Sequence, residues 1–299
     1  MKRKFRILGI QSFIFLFLIT NASAFPHGNN NSIGFNAGFE YFPSDNFKEK
    51  IIAFSGSFPV TSVKGFNISN AISFSNSAFN DNLNIGNLHS INNLRDLGCE
   101  ISVDNDKYSF SAGINSASNR LFNSIRETSF NLTSMYKYKK NNNSTWMFGF
   151  SFNSKDENKF FPIIAYSYQT ENFIAMFPMM CMYNISDKWF LKLAGEGFNG
   201  FDLSLNYRKS TDLTISACAN MTQKKYYLIG RQNKNESLRI NKNSAGIKIE
   251  KNIFNFLTSG FYLGRSFSSK YVVEDFDNKY DKLNFKNAVL LKTWFSVEM

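Results

Sequence analysis

The chain is short of the residues that staple or catalyse: it has 3 Cys, 5 Pro and 2 His among 299 residues. Cys99, Cys181 and Cys218 are odd in number and far apart, which excludes a disulfide framework or a Cys-x-x-Cys metal pattern. Cys99 shares the alternation of Leu97, Ile101 and Val103, so it reads as a small apolar side chain. No Pro-rich or Gly/Ser-rich linker divides the chain. Beyond its start, no apolar run approaches the roughly 20 residues of a transmembrane helix. Gly-x-Ser-x-Gly, Walker, His-Glu-x-x-His and dinucleotide fingerprints are all missing.

What is present begins with an export signal. Lys2, Arg3, Lys4 and Arg6 precede the apolar run 13–19, and Ala22-Ser23-Ala24 offers a cleavage site. Residues 1–24 are therefore expected to be removed, leaving 25–299 as a single domain. Loss of those four cations and no acid lowers the net charge from +11 to +7. The remaining cations are scattered, with no basic helix or stripe, so nucleic acid is not an expected partner. Asn67-Ile68-Ser69 and Asn131-Leu132-Thr133 match the glycosylation triplet, yet such matches arise by chance in a chain this rich in Asn and Ser.

Aromatic residues make up 17% of the chain, with 34 Phe, yet the mean hydropathy is −0.27. Apolar residues must therefore be interleaved with polar ones. Ile33, Phe35, Ala37, Phe39 and Tyr41 alternate with Gly34, Asn36, Gly38 and Glu40. The period of two recurs in Ile52–Val60, Phe66–Phe74, Leu97–Val103, Tyr108–Ile114, Phe130–Tyr138, Trp146–Phe152, Ile164–Tyr168, Trp189–Leu193, Phe201–Tyr207, Leu213–Ala217, Tyr226–Leu228, Ala245–Ile249, Phe254–Tyr262 and Val289–Met299. Asp104–Lys107 and Lys139–Asn143 read as hairpin turns, Thr222–Lys224 as another, and Ser75–Asn93 and Ser266–Lys282 as long polar loops.

This pattern predicts an all-β fold: a single antiparallel up-and-down transmembrane β-barrel of roughly 12 strands, with a range of about 10–14. A secreted β-sandwich also alternates. The barrel is favoured by the missing domain boundary and by an aromatic girdle of Tyr41, Tyr138, Trp146, Tyr168, Trp189, Tyr207 and Tyr262 near strand ends. The alternation also runs to the last residues, Trp294-Phe295-Ser296-Val297-Glu298-Met299, which resemble a barrel-assembly signal except in ending on Met.

Phe160-Phe161-Pro162-Ile163-Ile164-Ala165-Tyr166-Ser167-Tyr168, then Phe177-Pro178 and Tyr183-Asn184-Ile185-Ser186-Asp187-Lys188-Trp189, resemble an uncharacterised family of outer-membrane barrels, a domain of unknown function. The resemblance covers about a third of the chain. It implies a bacterial outer-membrane location and a barrel architecture, and no activity or site.

Catalytic groups are sparse. His27 lies beside the cleavage site, and His89 sits in the Asn-rich loop as a solvated histidine or a base toward a distant Ser or Asp. Glu274, Asp275, Asp277 and Asp281 form the densest acidic cluster, but Lys279 stands where a calcium ligand is wanted and no Gly makes the bend. Met176, Met179, Met180 and Met182 read as packing or membrane-facing residues, with a flexible apolar pocket as the sharper alternative. No catalytic, cofactor-binding or metal residue is assigned, no cofactor is expected, and the chain is not expected to be an enzyme.

The leading expectation is a passive or selective channel for small solutes. Lys192, Arg208, Lys248, Glu250 and Lys292 would line its lumen and favour anions. The alternatives are a structural or surface-interaction barrel with a plugged lumen, and an outer-membrane hydrolase. Expected partners are outer-membrane lipids, lipopolysaccharide and the barrel-assembly machinery.

Overall fold

The computed structural model describes residues 33–43, 47–85, 88–156, 158–195, 200–229, 236–275, 278–285 and 288–299. They form one antiparallel sheet of β1 (Gly34–Pro43), β2 (Lys48–Val63), β3 (Phe66–Ile85), β4 (Leu88–Asp104), β5 (Tyr108–Ser118), β6 (Thr128–Asn141), β7 (Ser144–Asn153) and β8 (Phe160–Gln169). It continues through β9 (Phe173–Phe177), β10 (Met180–Asn184), β11 (Trp189–Gly195), β12 (Gly200–Arg208), β13 (Leu213–Tyr226), β14 (Glu236–Phe254), β15 (Leu257–Asp275), β16 (Asn278–Phe285) and β17 (Val289–Glu298). Each strand pairs with its sequence neighbour, except that β16 and β17 share one place. Residues 269–275 of β15 pair with β16, and residues 257–265 pair with β17. β17 then pairs with β1 from Gly34↔Glu298 to Tyr41↔Leu291, and Ile33 and Met299 exchange backbone bonds of 2.6 and 2.9 Å. The sheet is a closed barrel of 16 strands.

That number corrects the expectation of roughly 12. β9 and β10 are 5 residues each, too short to show a period, and they lie in the methionine-rich stretch. The two expected long loops are also strand. Ser75–Asn93 forms the upper parts of β3 and β4, and Ser266–Lys282 forms most of the upper part of β15 and the start of β16. Conversely, Thr222–Lys224 is no turn, because β13 runs through it unbroken.

Local chemistry sets the tight turns at the end of the barrel that carries Ile33 and Met299. Lys64 and Gly65 both take positive φ, as a two-residue hairpin demands. Asn105 Oδ1 accepts from the backbone N–H of Lys107 and Tyr108 at 2.8 and 2.6 Å. Asn141 Oδ1 accepts from Asn143 N–H at 2.9 Å, and Ser186 Oγ accepts from Trp189 N–H at 3.2 Å. At the opposite end the strands differ in reach: β3, β4, β14 and β15 run 17–20 residues, whereas β9–β12 run 5–9. The barrel therefore has a tall wall (β1–β5 and β13–β17) and a short wall (β6–β12).

The outer face carries the apolar alternation. Phe54, Phe148, Leu191, Leu205, Ile247, Phe261 and Phe295 are all exposed there. An exposed apolar belt of this kind on a closed sheet is the surface a bilayer core covers. Near the turn end, Trp146 packs on Tyr166 at 4.7 Å and Trp189 on Tyr207 at 4.9 Å, the geometry of an interfacial girdle. Tyr262 is no part of it. It points inward, 2% exposed, and its hydroxyl donates to Ser244 Oγ at 3.1 Å. Phe261 and Leu263 hold the outer face of that strand instead.

Pro162 is the third residue of β8 rather than its start, and Pro178 lies in the β9–β10 turn after a cis peptide bond. The expected signal peptide, residues 1–24, and His27 lie outside the described residues.

Candidate functional site

The candidate site is the lumen. Along the turn-side half of most strands the inner residues are small or polar: Ser109, Ser111 and Gly113 on β5, Ser204 and Asn206 on β12, Thr214 and Ser216 on β13. Ser216 Oγ donates to Asn206 Oδ1 at 2.6 Å, and Asn206 Nδ2 donates to Ser204 Oγ at 3.1 Å. Asn115 Nδ2 donates to Asp96 Oδ1 at 2.7 Å. These lumenal polar groups thus satisfy one another along the wall, whereas Glu100 Oε2 has no partner among the described residues.

The five residues expected in the lumen are there. Lys248 and Glu250 form a pair at 2.9 Å, and Lys292 pairs with Glu40 at 3.1 Å. Arg208 lies over the Phe190 ring at 4.6 Å. Lys192 faces inward between Met182 of β10 and Ser204 of β12 and makes no ion pair among the described residues. The expected cation surplus does not hold, because further acids share the inner face. Asp96, Glu100, Asp104 and Asp202 join Glu40, Glu49 and Glu250, and Asp104 binds Lys137 at 2.6 Å.

Toward the loop end the tall wall inverts its polarity. On β3 the outward residues Ile68, Ile72 and Phe74 are even-numbered, while the buried Phe79, Leu83 and Ile85 are odd-numbered and point inward. β13 switches from outward Ile215 and Ala217 to inward Tyr226 and Leu228, and β14 from inward Leu238 and Ile240 to outward Ile247 and Ile249. These inward residues form one apolar cluster with Phe42, Phe47, Leu94, Tyr271 and Leu290. Phe47 packs on Phe79 at 5.5 Å and on Tyr271 at 5.3 Å, joining β2 and β3 to β15. The upper strands of the tall wall thus pack face to face, as in the sandwich weighed from the sequence.

Inside that packing, Lys242 of β14 bridges Glu40 of β1 at 2.8 Å and Glu49 of β2 at 2.7 Å, and Tyr271 donates to Glu49 at 2.8 Å. The ammonium also stands 5.1 Å from the Phe42 ring centroid. Burial of these charges is tolerable because each is paired and hydrogen-bonded.

The segment that follows β13 then crosses the lumen. Tyr227 N–H donates to Ala117 O on β5 at 2.8 Å, and Ile229 N–H donates to Asn119 Oδ1 at 3.0 Å. In a ring of 16, β5 and β13 are diametrically opposite. A round barrel of that size spans about 30 Å between opposite backbones, so the upper tall wall has folded across the mouth. The Tyr227 ring is flanked by the ammonium groups of Lys155 and Lys225, 5.6 and 5.5 Å away, and its hydroxyl donates to Lys155 O at 3.2 Å. Lys155 Nζ in turn donates to the carbonyls of Ile125 and Arg126 at 2.8 and 2.9 Å. Asp156 in the same loop is partly buried, and the loss of water around it pushes its carboxyl up to about 8, against the pull of Lys225.

The side chain of His89 lies outside the described residues, although its backbone belongs to β4. Of the acidic cluster, Glu274 pairs with Arg239, Asp277 is outside the described residues, and no metal-holding group is found among the described ones. The methionines are partly where the sequence did not expect them. Met176, Met180 and Met182 face the lumen, not the membrane.

No family model matches the chain, and none of the curated proteins matches it in sequence, so the resemblance to a family of unknown function gains no support. Among solved structures, the chain is distantly similar to several outer-membrane proteins. An outer membrane channel of Pseudomonas putida F1 is 8% identical, with 90% of this chain and 96% of that one covered and a TM-score of 0.38. OccK5 (OpdH) of Pseudomonas aeruginosa is 10% identical, with 90% and 97% covered and a TM-score of 0.36. A triple mutant of Rhodopseudomonas blastica porin is 9% identical, with 90% and 99% covered and a TM-score of 0.32. Likenesses this distant carry no inference about what this chain does, which is read from its own geometry.

Proposed function

We propose that the chain is an outer-membrane barrel that works as a channel for small solutes, shut at its loop end in the conformation described. The supporting observation is the strand number. Twelve strands can be filled by inward side chains or a loop, whereas rings of about 16 leave an aqueous lumen. The apolar belt, the aromatic girdle and the tight turns gathered at one end support the outer-membrane placement. Because lumenal acids match lumenal bases, the channel has weak ion preference, in place of the anion preference read from the sequence. A plugged, non-conducting barrel is the second reading, favoured by the Tyr227 crossing.

Planar-bilayer recording of the refolded mature chain separates the two. A channel gives rare, brief openings in the wild type and frequent ones in Tyr227→Ala. Silence from both, with folding verified by heat-modifiable mobility, favours the plugged barrel.

A further inference from the structure

The inner face of the short wall breaks the pattern of the rest of the lumen. On β6–β10 the lumenal positions include Met135, Met147, Ile163, Ala165, Met176, Met180 and Met182, with Thr133, Ser151 and Ser167 between and beside them. Met180 stands directly opposite Met176, and Met182 directly opposite Ile174. Their outward neighbours Phe148, Phe150, Ile164 and Tyr183 are exposed on the lipid side, so these thioethers are not membrane contacts. Nor are they in the apolar cluster of the upper tall wall. An apolar patch on the lower lumenal wall, where the other strands hold mostly small and polar residues, is costly to leave wet. Methionine is the residue that adapts to ligands of varied shape.

The foot of the patch has a charge. Lys192 lies in register with Met182, half-buried, with no ion pair among the described residues, and Arg208 sits on the neighbouring strand over Phe190. An apolar surface ending in a cation fits an apolar tail ending in an anion. We propose that the inner face of β6–β10 binds amphiphilic carboxylates, with the tail on the methionines and the carboxylate at Lys192. This names a solute class for the proposed channel and so rests on that reading for its purpose, although binding itself does not require conduction.

The test is methionine-methyl NMR of the refolded mature chain, labelled with 13C-methyl methionine and titrated with octanoate, octanol or acetate. Met221 faces outward from β13 and reports nonspecific partition into the detergent. Octanoate is expected to shift the Met176, Met180 and Met182 signals saturably while Met221 drifts linearly. Octanol should bind several-fold more weakly and acetate not at all. Lys192→Gln should weaken octanoate five- to tenfold and leave octanol unchanged, whereas Met182→Ser should weaken both. Linear drift at every methionine would overturn the site. Equal affinity for octanoate and octanol, untouched by Lys192→Gln, would overturn the role of the cation. Saturable binding in a barrel that never conducts would uphold this site and sink the channel reading; conductance with no binding would do the reverse.

Discussion

The tall and short walls share one sheet, one alternation and one outer belt, yet they obey opposite rules above that belt. On the short wall the strands end where the apolar belt ends. Phe160, Phe177 and Phe201 are exposed at their tips, and no described strand of that wall continues above them. On the tall wall the strands continue with the phase reversed, polar outside and apolar inside. The difference teaches that a barrel strand is two strands joined end to end. The lower one is solvated by lipid and turns its apolar face outward. The upper one is solvated by water and must bury its apolar face against another wall. The parity switch, as between Phe74 and Phe79 or between Ala217 and Tyr226, marks the height at which the solvent changes.

The largest effect expected from breaking this contrast is at Lys242. Replacing it with Met leaves Glu49 as a buried charge with no ion pair and Glu40 with Lys292 alone, a loss of about 3–5 kcal/mol. Proteolysis should then open the β3–β4 and β14–β15 hairpins while the lower barrel keeps its heat-modifiable mobility. Equal loss at both levels would show that the two halves are one cooperative unit.

A smaller effect sharpens the contrast along the outer face of β15. Leu263 lies in the belt and Lys270 above it, both exposed. Leu263→Lys should cost about 2–4 kcal/mol in folding into vesicles. Lys270→Leu, one bulge higher, should stay within about 0.5 kcal/mol. Similar costs at the two positions would place the membrane boundary elsewhere.

The smallest effect concerns the loop that meets Tyr227. With its carboxyl pushed up to about 8, Asp156 holds a proton in the docked loop that it loses when the loop swings into water. Docking should therefore weaken as pH rises from the ordinary carboxyl range to about 8, then level off. Hydrogen-exchange protection of the Tyr227 amide should follow that curve, and Asp156→Asn should flatten it.

Much of the fold was legible in the sequence. The period of two, the hairpin turn at Asp104–Lys107 and most of the outward apolar series hold, because a lipid-facing surface leaves no alternative pattern; Tyr226, Leu228 and Tyr262 turn inward instead. The count failed where the same physics changes sign. Ser75–Asn93 reads as loop because its outer residues are polar, and its inward Phe79, Leu83 and Leu94 look irregular unless the phase is allowed to flip. Tyr226 and Leu228 do stand out as a separate apolar run, but they read as a new strand after a turn. The five lumenal charges were found by the cost of facing lipid. The latch at Tyr227 was not, since only the closed ring brings β13 to β5, and no local signal encodes a contact with the diametrically opposite wall.

The most direct test of the crossed mouth is an engineered disulfide between Ala117→Cys and Tyr227→Cys, with Cys99, Cys181 and Cys218 replaced by alanine. The 2.8 Å backbone bond between the two positions brings their Cα atoms within disulfide reach. The account predicts that the bridge forms readily in the folded barrel, holds the channel shut under oxidising conditions and releases it on reduction. Failure of the two thiols to pair, or steady conductance through the oxidised protein, would contradict it.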